Sequence, residues 1–214
     1  MSSNQILSQE FYQSEDVVTN AQFLLGKVLT TKINGVLTSG LIVETEAYRG
    51  PDDKGCHAYG GRRTERTSSM YLSGGHAYVY LCYGIHPMIN VVTGPKDFAH
   101  AVLIRGIQPL YGLEIMAQRR GLKSNDKNIT NGPGKLGVAL GITKDLNACP
   151  FFKSDSEILI EDHNLCIDVK TIYAGPRVGM SIHVGSCAHR PWRFYIKDNP
   201  WVSKPLSVDY RGKW

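Results

Sequence analysis

Residues Lys27–Tyr48 read KVLTTKINGVLTSGLIVETEAY. Two runs of apolar and β-branched residues, KVLTTKI and LTSGLIVETEAY, flank Asn34-Gly35, a pair suited to closing a tight turn between antiparallel strands. Short apolar runs set off by turn residues continue along the chain as HAYVYLCY, PMINVVT and HAVLIRGI, then as EILIED, CIDVKTI, SIHVG and RFYIK. Each is read as a strand. Helical signals are fewer. Ser14 is the candidate N-cap of a first helix, with Glu15 and Asp16 in its first turn and Gly26 as its stop. Leu113–Arg120, ending at Gly121, is a second helix, and a third follows Gly132-Pro133-Gly134, with Lys135, Leu136 and Leu140 on one helical period. Strands dominate and βαβ alternation is absent. The expectation is therefore an α+β fold, one compact domain with a largely antiparallel curved sheet and flanking helices. No repeat or linker divides residues 1–214, and residues 1–12 and 205–214 are expected as peripheral tails.

A chain of 214 residues that is 42% hydrophobic can bury a core, which excludes a disordered protein. Its five cysteines form no CxxC pair, so neither a zinc-site spacing nor a disulfide framework is supported, and free thiols in a reducing cytosol are expected. The start, MSSNQILSQEFYQSEDV, has neither the basic opening nor the apolar run of a signal peptide. Thr67–Pro95 contains no Asp, Glu, Lys or Arg, yet Ser73-Gly74-Gly75-His76 and Gly84-Ile85-His86-Pro87 cut it into pieces too short to cross a membrane. The formal charge of +5 is concentrated in residues 117–144 and 177–214, which suggests a basic face. Such a face suits a polyanion without requiring one.

On an extended strand Glu44, Glu46 and Tyr48 share a face. Carboxylates in an apolar strand are expensive to bury unless paired, hydrogen-bonded or functional. That leaves either an edge strand with its acidic face in water, or a carboxylate at the floor of a pocket beside an aromatic wall. A sugar-hydrolase pair is poorly served, because neighbours at i and i+2 lie on the same side of a substrate. Tyr78 and Tyr80 likewise share a face, with Tyr83 at the following turn; they pack a core, or they line a flat-ligand pocket or stack bases. Arg62, Arg63 and Arg66, interleaved with glycine and hydroxyl residues, make a candidate phosphate-contacting loop. Lys135 and the helix amides after Gly132-Pro133-Gly134 are a second candidate, although the GxxxxGK[ST] spacing is missing. HExxH, HxE…PCxxC and GxSxG are also missing. Metal-free hydrolysis or plain binding remains, with no metal and no cofactor expected.

The blocks VETEAYRGPDDKGCHAYGGRRTERTSSMY, YVYLCYGIHPMIN, AVLIRGIQPL, NGPGKL and RPWRFYIKDNPWVS, in that order from about Leu24 to Ser203, closely resemble the alkyladenine (3-methylpurine) DNA glycosylase family. The resemblance implies a single-domain mixed α/β protein that slides along duplex DNA, flips a damaged purine into a pocket and hydrolyses its N-glycosidic bond. It implies Glu46 as the general base that deprotonates the attacking water and Arg105 as the arginine that helps hold that water. Tyr48 and Tyr80 match the rings that sandwich the flipped base, and His57 matches a histidine of the same pocket. Asn90 matches the asparagine that opposes the exocyclic amine of an undamaged guanine, and Tyr83 the side chain wedged into the duplex. Arg62, Arg66 and Lys135 are the candidate backbone contacts. The sequence departs from the family pattern at His86-Pro87 and at Arg63.

A cationic alkylated purine would gain from stacked tyrosines through cation–π attraction. Glu44 is expected as support for Glu46, through a salt bridge or hydrogen bonds. With no Lys in the strands around Glu46, a monofunctional hydrolase is favoured over a Schiff-base lyase. Two other readings compete: a non-catalytic nucleic-acid binder using the same surface, and an RNA-directed or small-nucleoside hydrolase that has no need of Tyr83. The expected partner is damaged double-stranded DNA, with no obligate protein partner and no membrane. A monomer is expected because scanning a duplex needs one open basic face. The expected location is the bacterial cytosol and nucleoid, or the nucleus of a eukaryote.

Overall fold

Asn34 and Gly35 both adopt positive φ (52° and 77°), which matches the right-handed twist of the strands they join, β2 (Val28–Ile33) and β3 (Val36–Arg49). Those strands sit near the middle of a sheet in the computed structural model, which describes residues 4–210. The remaining strands are β1 (Gln5–Ile6), β4 (Ala77–Cys82), β5 (His86–Thr93), β6 (His100–Tyr111), β7 (Ile158–Asp162), β8 (Ile172–Gly175) and β9 (Arg193–Ile196). The order is β1-β7-β2-β3-β6-β5-β4, with β9 beside the C-terminal half of β3 and β8 beyond it. Every pairing among these strands is antiparallel. Three α-helices, α1 (Val17–Phe23), α2 (Leu113–Arg120) and α3 (Pro133–Ala139), and several 3-10 turns pack around the sheet. The fold is α+β, as the strand-rich pattern predicts.

The 14-residue β3 organises the molecule. Its first half pairs with β2, Glu44–Glu46 pair with β9, and β6 runs along its other edge. Three register shifts break the β3–β6 ladder, one between Ser39 and Gly40 and two beside the glutamates. Ile42 faces Ile107 and Glu44 faces Gly106, leaving Val43 as an extra residue; Thr45 then faces Ile104, leaving Arg105 as the extra residue on β6. Bulges re-aim side chains, and here they turn Arg105 and the two glutamates toward one another. On the opposite face, Thr45 donates its hydroxyl to the Ala21 carbonyl of α1 at 2.7 Å. The main core lies on that side, built from residues such as Leu24, Leu29, Ile42, Ile104, Ile107 and Phe151. A smaller cluster with Cys56, Ala58, Met70, Tyr78, Val92 and Ala101 lies apart from it.

Several local expectations are corrected. The first helix is capped by Asp16, whose carboxylate accepts from the Val18 and Thr19 amides, while Ser14 accepts from the Asp16 amide. Asp16 competes better because a carboxylate accepts two amides at once. CIDVKTI is not one strand: the Asp168 side chain accepts from the Lys170 amide and turns Val169–Thr171 into a 3-10 turn before β8 begins. SIHVG is also a 3-10 segment, within Ile182–His189, capped by Ser181 and broken at Gly185. Its alternation lacks a neighbouring edge to pair with. Nor is the start a loose tail. Leu7 and Tyr12 are buried in the core, and β1 pairs with β7. Near the C-terminus Leu206 packs on the core and Asp209 accepts from the Ala174 amide, whereas residues 211–214 of the expected tail lie outside the described residues.

Candidate active site

Glu44 and Glu46 are both fully buried. The Glu44 carboxylate accepts from Arg105 Nε (3.0 Å), Arg193 Nε (2.7 Å), and the Ser203 amide and hydroxyl (2.7 and 2.9 Å). Burial opposes its charge, but Arg105 and Arg193 beside it outweigh that cost and hold its pKa below the ordinary value. Arg105 bridges the two acids: its Nε serves Glu44, its Nη1 lies 3.3 Å from Glu46 Oε1, and its Nη2 donates to Ser203 Oγ. Burial disfavours charge on Arg105 too, and the two glutamates reverse the balance and raise its pKa. Glu46 Oε1 also accepts from the Val178 amide at 2.6 Å, and Oε2 accepts from the Tyr48 hydroxyl at 2.8 Å. Each Glu46 oxygen thus accepts one hydrogen bond, and Oε1 also faces the Arg105 guanidinium.

Beside this cluster opens a cavity of about 450 Å³. Tyr48, Tyr78, Tyr80, His57 and Asn90 line it, with Arg105 and Leu103 from β6. The opposite wall is the loop after β8, including Val178, Met180 and Ser181. The two walls approach closely at Gly55, where a Cβ would crowd the tips of the Met180 and Arg177 side chains. Arg177 is itself buried, clamped by Asp53, and stands 4.6 Å from the Tyr48 ring. His57 Nδ1 is 2.7 Å from the Tyr78 hydroxyl, and its ring meets Tyr80 edge-on at 4.8 Å. Burial, with Arg66 and Arg62 nearby, pushes the His57 pKa down to about 4, so the imidazole is neutral at physiological pH. Asn90 is fixed by donating its Nδ2 to the Tyr78 carbonyl.

The structure therefore brings Arg105, Tyr48, His57, Tyr80 and Asn90 to one cavity, with Glu46 buried behind it against Tyr48, Arg105 and the Val178 amide. Tyr83 stands at its rim, on the tip of the β4–β5 hairpin. Tyr83 and Gly84 both have positive φ (52° and 75°), and the Tyr83 side chain is 92% exposed. A left-handed non-glycine residue that also offers an aromatic ring to solvent is costly twice over. The exposed Ile85 stands beside it. The basic residues divide. Arg62 and Arg66 are both exposed, but Arg66 lies over the Tyr80 ring at 4.9 Å, with Nη2 3.4 Å from His57 Nε2. Lys135 is half-buried and donates to Asn128 Oδ1 and Asn131 Oδ1, so it is partly committed within the protein. Gly132–Gly137 also spells GxGxxG, but no parallel βαβ unit surrounds it, so the spacing lacks the context of a dinucleotide site.

Sequence reasoning missed the Val178 amide, Arg177, Arg193 and Ser203. Arg177 and Arg193 did leave a signal, each a charge beside apolar residues near the C-terminus, but a backbone amide leaves none. Lys54 was missed as well. It is exposed and lines the cavity from the loop after β3, so the absence of lysine from β6 and β9, the strands paired at Glu46, does not empty the site of amines. Among the described residues no group of His, Cys, Asp and Glu is arranged to hold a metal, and no helix is long and apolar enough to cross a membrane.

Comparison with known proteins points to the same region of chemistry. The family model described as methylpurine-DNA glycosylase matches residues 10–200. Relatives named "Putative 3-methyladenine DNA glycosylase" include one from Chlamydia pneumoniae, 47% identical over 197 residues, covering 89% of this chain and 95% of that protein. Another, from Clostridium perfringens (strain 13 / Type A), is 46% identical over 205 residues, covering 92% and 98%. A third, from Bacillus cereus (strain AH187), is 44% identical over 202 residues, covering 91% and 97%.

Proposed function

The chain belongs to the methylpurine-DNA glycosylase family, and from that premise we propose that it takes an extruded alkylated purine into the cavity and hydrolyses the bond to the sugar as a monofunctional enzyme. The observation that carries this reading is a fully buried Glu46 beside an aromatic slot, with Tyr48, Arg105 and the Val178 amide fixing it from three directions. On this reading a purine stacked on Tyr48 and Tyr80 directs its sugar toward Glu46 Oε2, the oxygen on the Tyr48 side of the carboxylate. A water donating there is deprotonated as it attacks the anomeric carbon, and the buried negative charge stabilises the oxocarbenium-like sugar. Arg105 holds the carboxylate's orientation, and the fixed Asn90 amide limits what fits at the purine edge.

Alkylation of a ring nitrogen has already weakened the glycosidic bond and made the base a good leaving group. His57, neutral and engaged with Tyr78 and Arg66, binds the base rather than protonating it. Extrusion costs a few kcal/mol, least at a damaged pair. Tyr83, held out in solvent at the cavity rim, is placed to fill the gap in the stack. Arg62 and the positive excess of residues 117–144 and 177–214 supply phosphate attraction.

The test is release of free methylated purine from alkylated duplex DNA in the presence of EDTA. Glu46→Gln is expected to keep duplex binding and lose activity by on the order of a thousandfold; an active variant would mean that another group serves as the base. Borohydride trapping should give no covalent protein–DNA adduct, and an adduct at Lys54 would overturn the monofunctional reading.

A further inference from the structure

Both tyrosines of the slot carry an arginine over their rings, Arg177 over Tyr48 at 4.6 Å and Arg66 over Tyr80 at 4.9 Å, and neither arginine lines the cavity. We propose that Arg66 is a specificity-determining residue of the base slot, which sets the balance between positively charged and neutral damaged purines by charging the Tyr80 side of the slot from behind. The inference rests on the glycosylase reading and deepens it.

The geometry distinguishes Arg66 from an ordinary phosphate contact. Arg62 and Arg66 are both exposed, and Arg63 is paired with Asp97 and stacked on Tyr71. Of the three, Arg66 alone meets cavity-lining groups, the Tyr80 ring and the free edge of His57. Since an arginine cannot accept, the 3.4 Å approach of Nη2 to His57 Nε2 makes Nε2 the acceptor and leaves Nδ1 to donate to the Tyr78 hydroxyl. One guanidinium thus fixes the tautomer of one lining side chain and stands over the ring of another.

The consequence concerns charge. A purine alkylated at N3 or N7 is cationic as a nucleotide, whereas a deaminated or etheno purine is neutral. Tyrosine attracts a cation through the negative face of its ring. With Arg66 already using that field, a cationic base stacked on the other face lies about 8 Å from a like charge. At an effective dielectric of about 40, between bulk water and a protein surface, that repulsion amounts to about fivefold in affinity. The neutral base pays no such cost. The slot as built is therefore less selective for charge than its bare tyrosines would be, and it admits neutral purines on shape and stacking.

The experiment compares wild type with Arg66→Leu in single-turnover excision of 7-methylguanine and of hypoxanthine from otherwise identical duplexes, across a salt series. Arg66→Leu is expected to raise the ratio of 7-methylguanine to hypoxanthine excision by about fivefold. If the wild type releases only 7-methylguanine, its rate on that base must rise by the same factor. Arg66→Lys, which keeps the charge without the flat guanidinium, should stay close to wild type. Equal losses on both lesions with a shallower salt dependence would make Arg66 a phosphate contact and overturn the proposal, as would an unchanged ratio. A wild-type protein that releases neither base fails the glycosylase reading itself, which is a separate outcome.

Discussion

Replacing Glu44 by Gln removes one negative charge from between two buried guanidinium groups. The carboxylate accepts four hydrogen bonds, from Arg105, Arg193 and twice from Ser203. An amide supplies only one acceptor oxygen, and its NH2 turns hydrogens toward groups that are themselves donors. Arg105 retains Glu46, but Arg193, which is 1% exposed, is left without its carboxylate. Breaking a buried pair by removing one partner costs about 3–5 kcal/mol. For a domain of this size each kcal/mol lowers Tm by about 2–4 °C, so Glu44→Gln is expected to lower it by roughly 6–20 °C at pH 7.

The acid limb gives a second readout. The folded-state pKa of Glu44 is lowered from 4.5, so its contribution to stability is present above that value and is lost as pH falls below it. Glu44→Gln has no such contribution to lose, and its Tm should fall less steeply than wild type below pH 4.5. Circular dichroism melts at pH 7, 5 and 3.5 measure both effects. A variant within 2 °C of wild type at pH 7, with an unchanged acid limb, would refute the assignment of Glu44 as the counter-ion that holds Arg105 and Arg193. Excision measured well below the variant's Tm should also fall, because a loosened Arg105 no longer fixes Glu46.

Two further predictions follow from the cavity and its rim. Tyr83→Ala leaves the exposed hairpin tip folded but removes the ring that fills the stack, so excision from duplex DNA should drop by on the order of tenfold or more while Tm stays within about 2 °C; equal activity on duplex would favour a nucleoside-type hydrolase. His57 has a folded pKa pushed from 6.5 down to about 4 by burial and its arginine neighbours, so its contribution to stability is full above 6.5 and is lost as pH falls toward 4. His57→Gln should accordingly flatten the pH dependence of Tm across that window. An NMR titration of wild type that placed the His57 pKa near 6.5 would contradict the packing around it.

Legibility followed the range of the interactions. The β2–β3 hairpin could be read because Asn34-Gly35 and the apolar runs beside it carry their own geometry, and α2 could be read from its Gly121 stop. The 3-10 segment Ile182–His189 could not, because apolar alternation in SIHVG looks the same whether or not a sheet edge stands beside it. Resemblance to a known family put Glu46, Arg105, Tyr48, His57, Tyr80 and Asn90 on one list, yet it did not show that Arg66 lies over Tyr80 or that Lys135 is held by two asparagines.

By itself the sequence determined the antiparallel α+β character, the common face of Glu44, Glu46 and Tyr48, and the turn that presents Tyr83. These are set by neighbours a few residues apart, through strand alternation and turn preference. Only the tertiary structure decided that both glutamates are buried and which partners neutralise them. Arg105, Arg193 and Ser203 reach Glu44 from 61, 149 and 159 residues away. Paired bulges aim Arg105, and the Val178 amide closes on Glu46 from a loop with no local signature. Charge compensation in a buried site depends on distance in space, and a linear pattern does not record that distance.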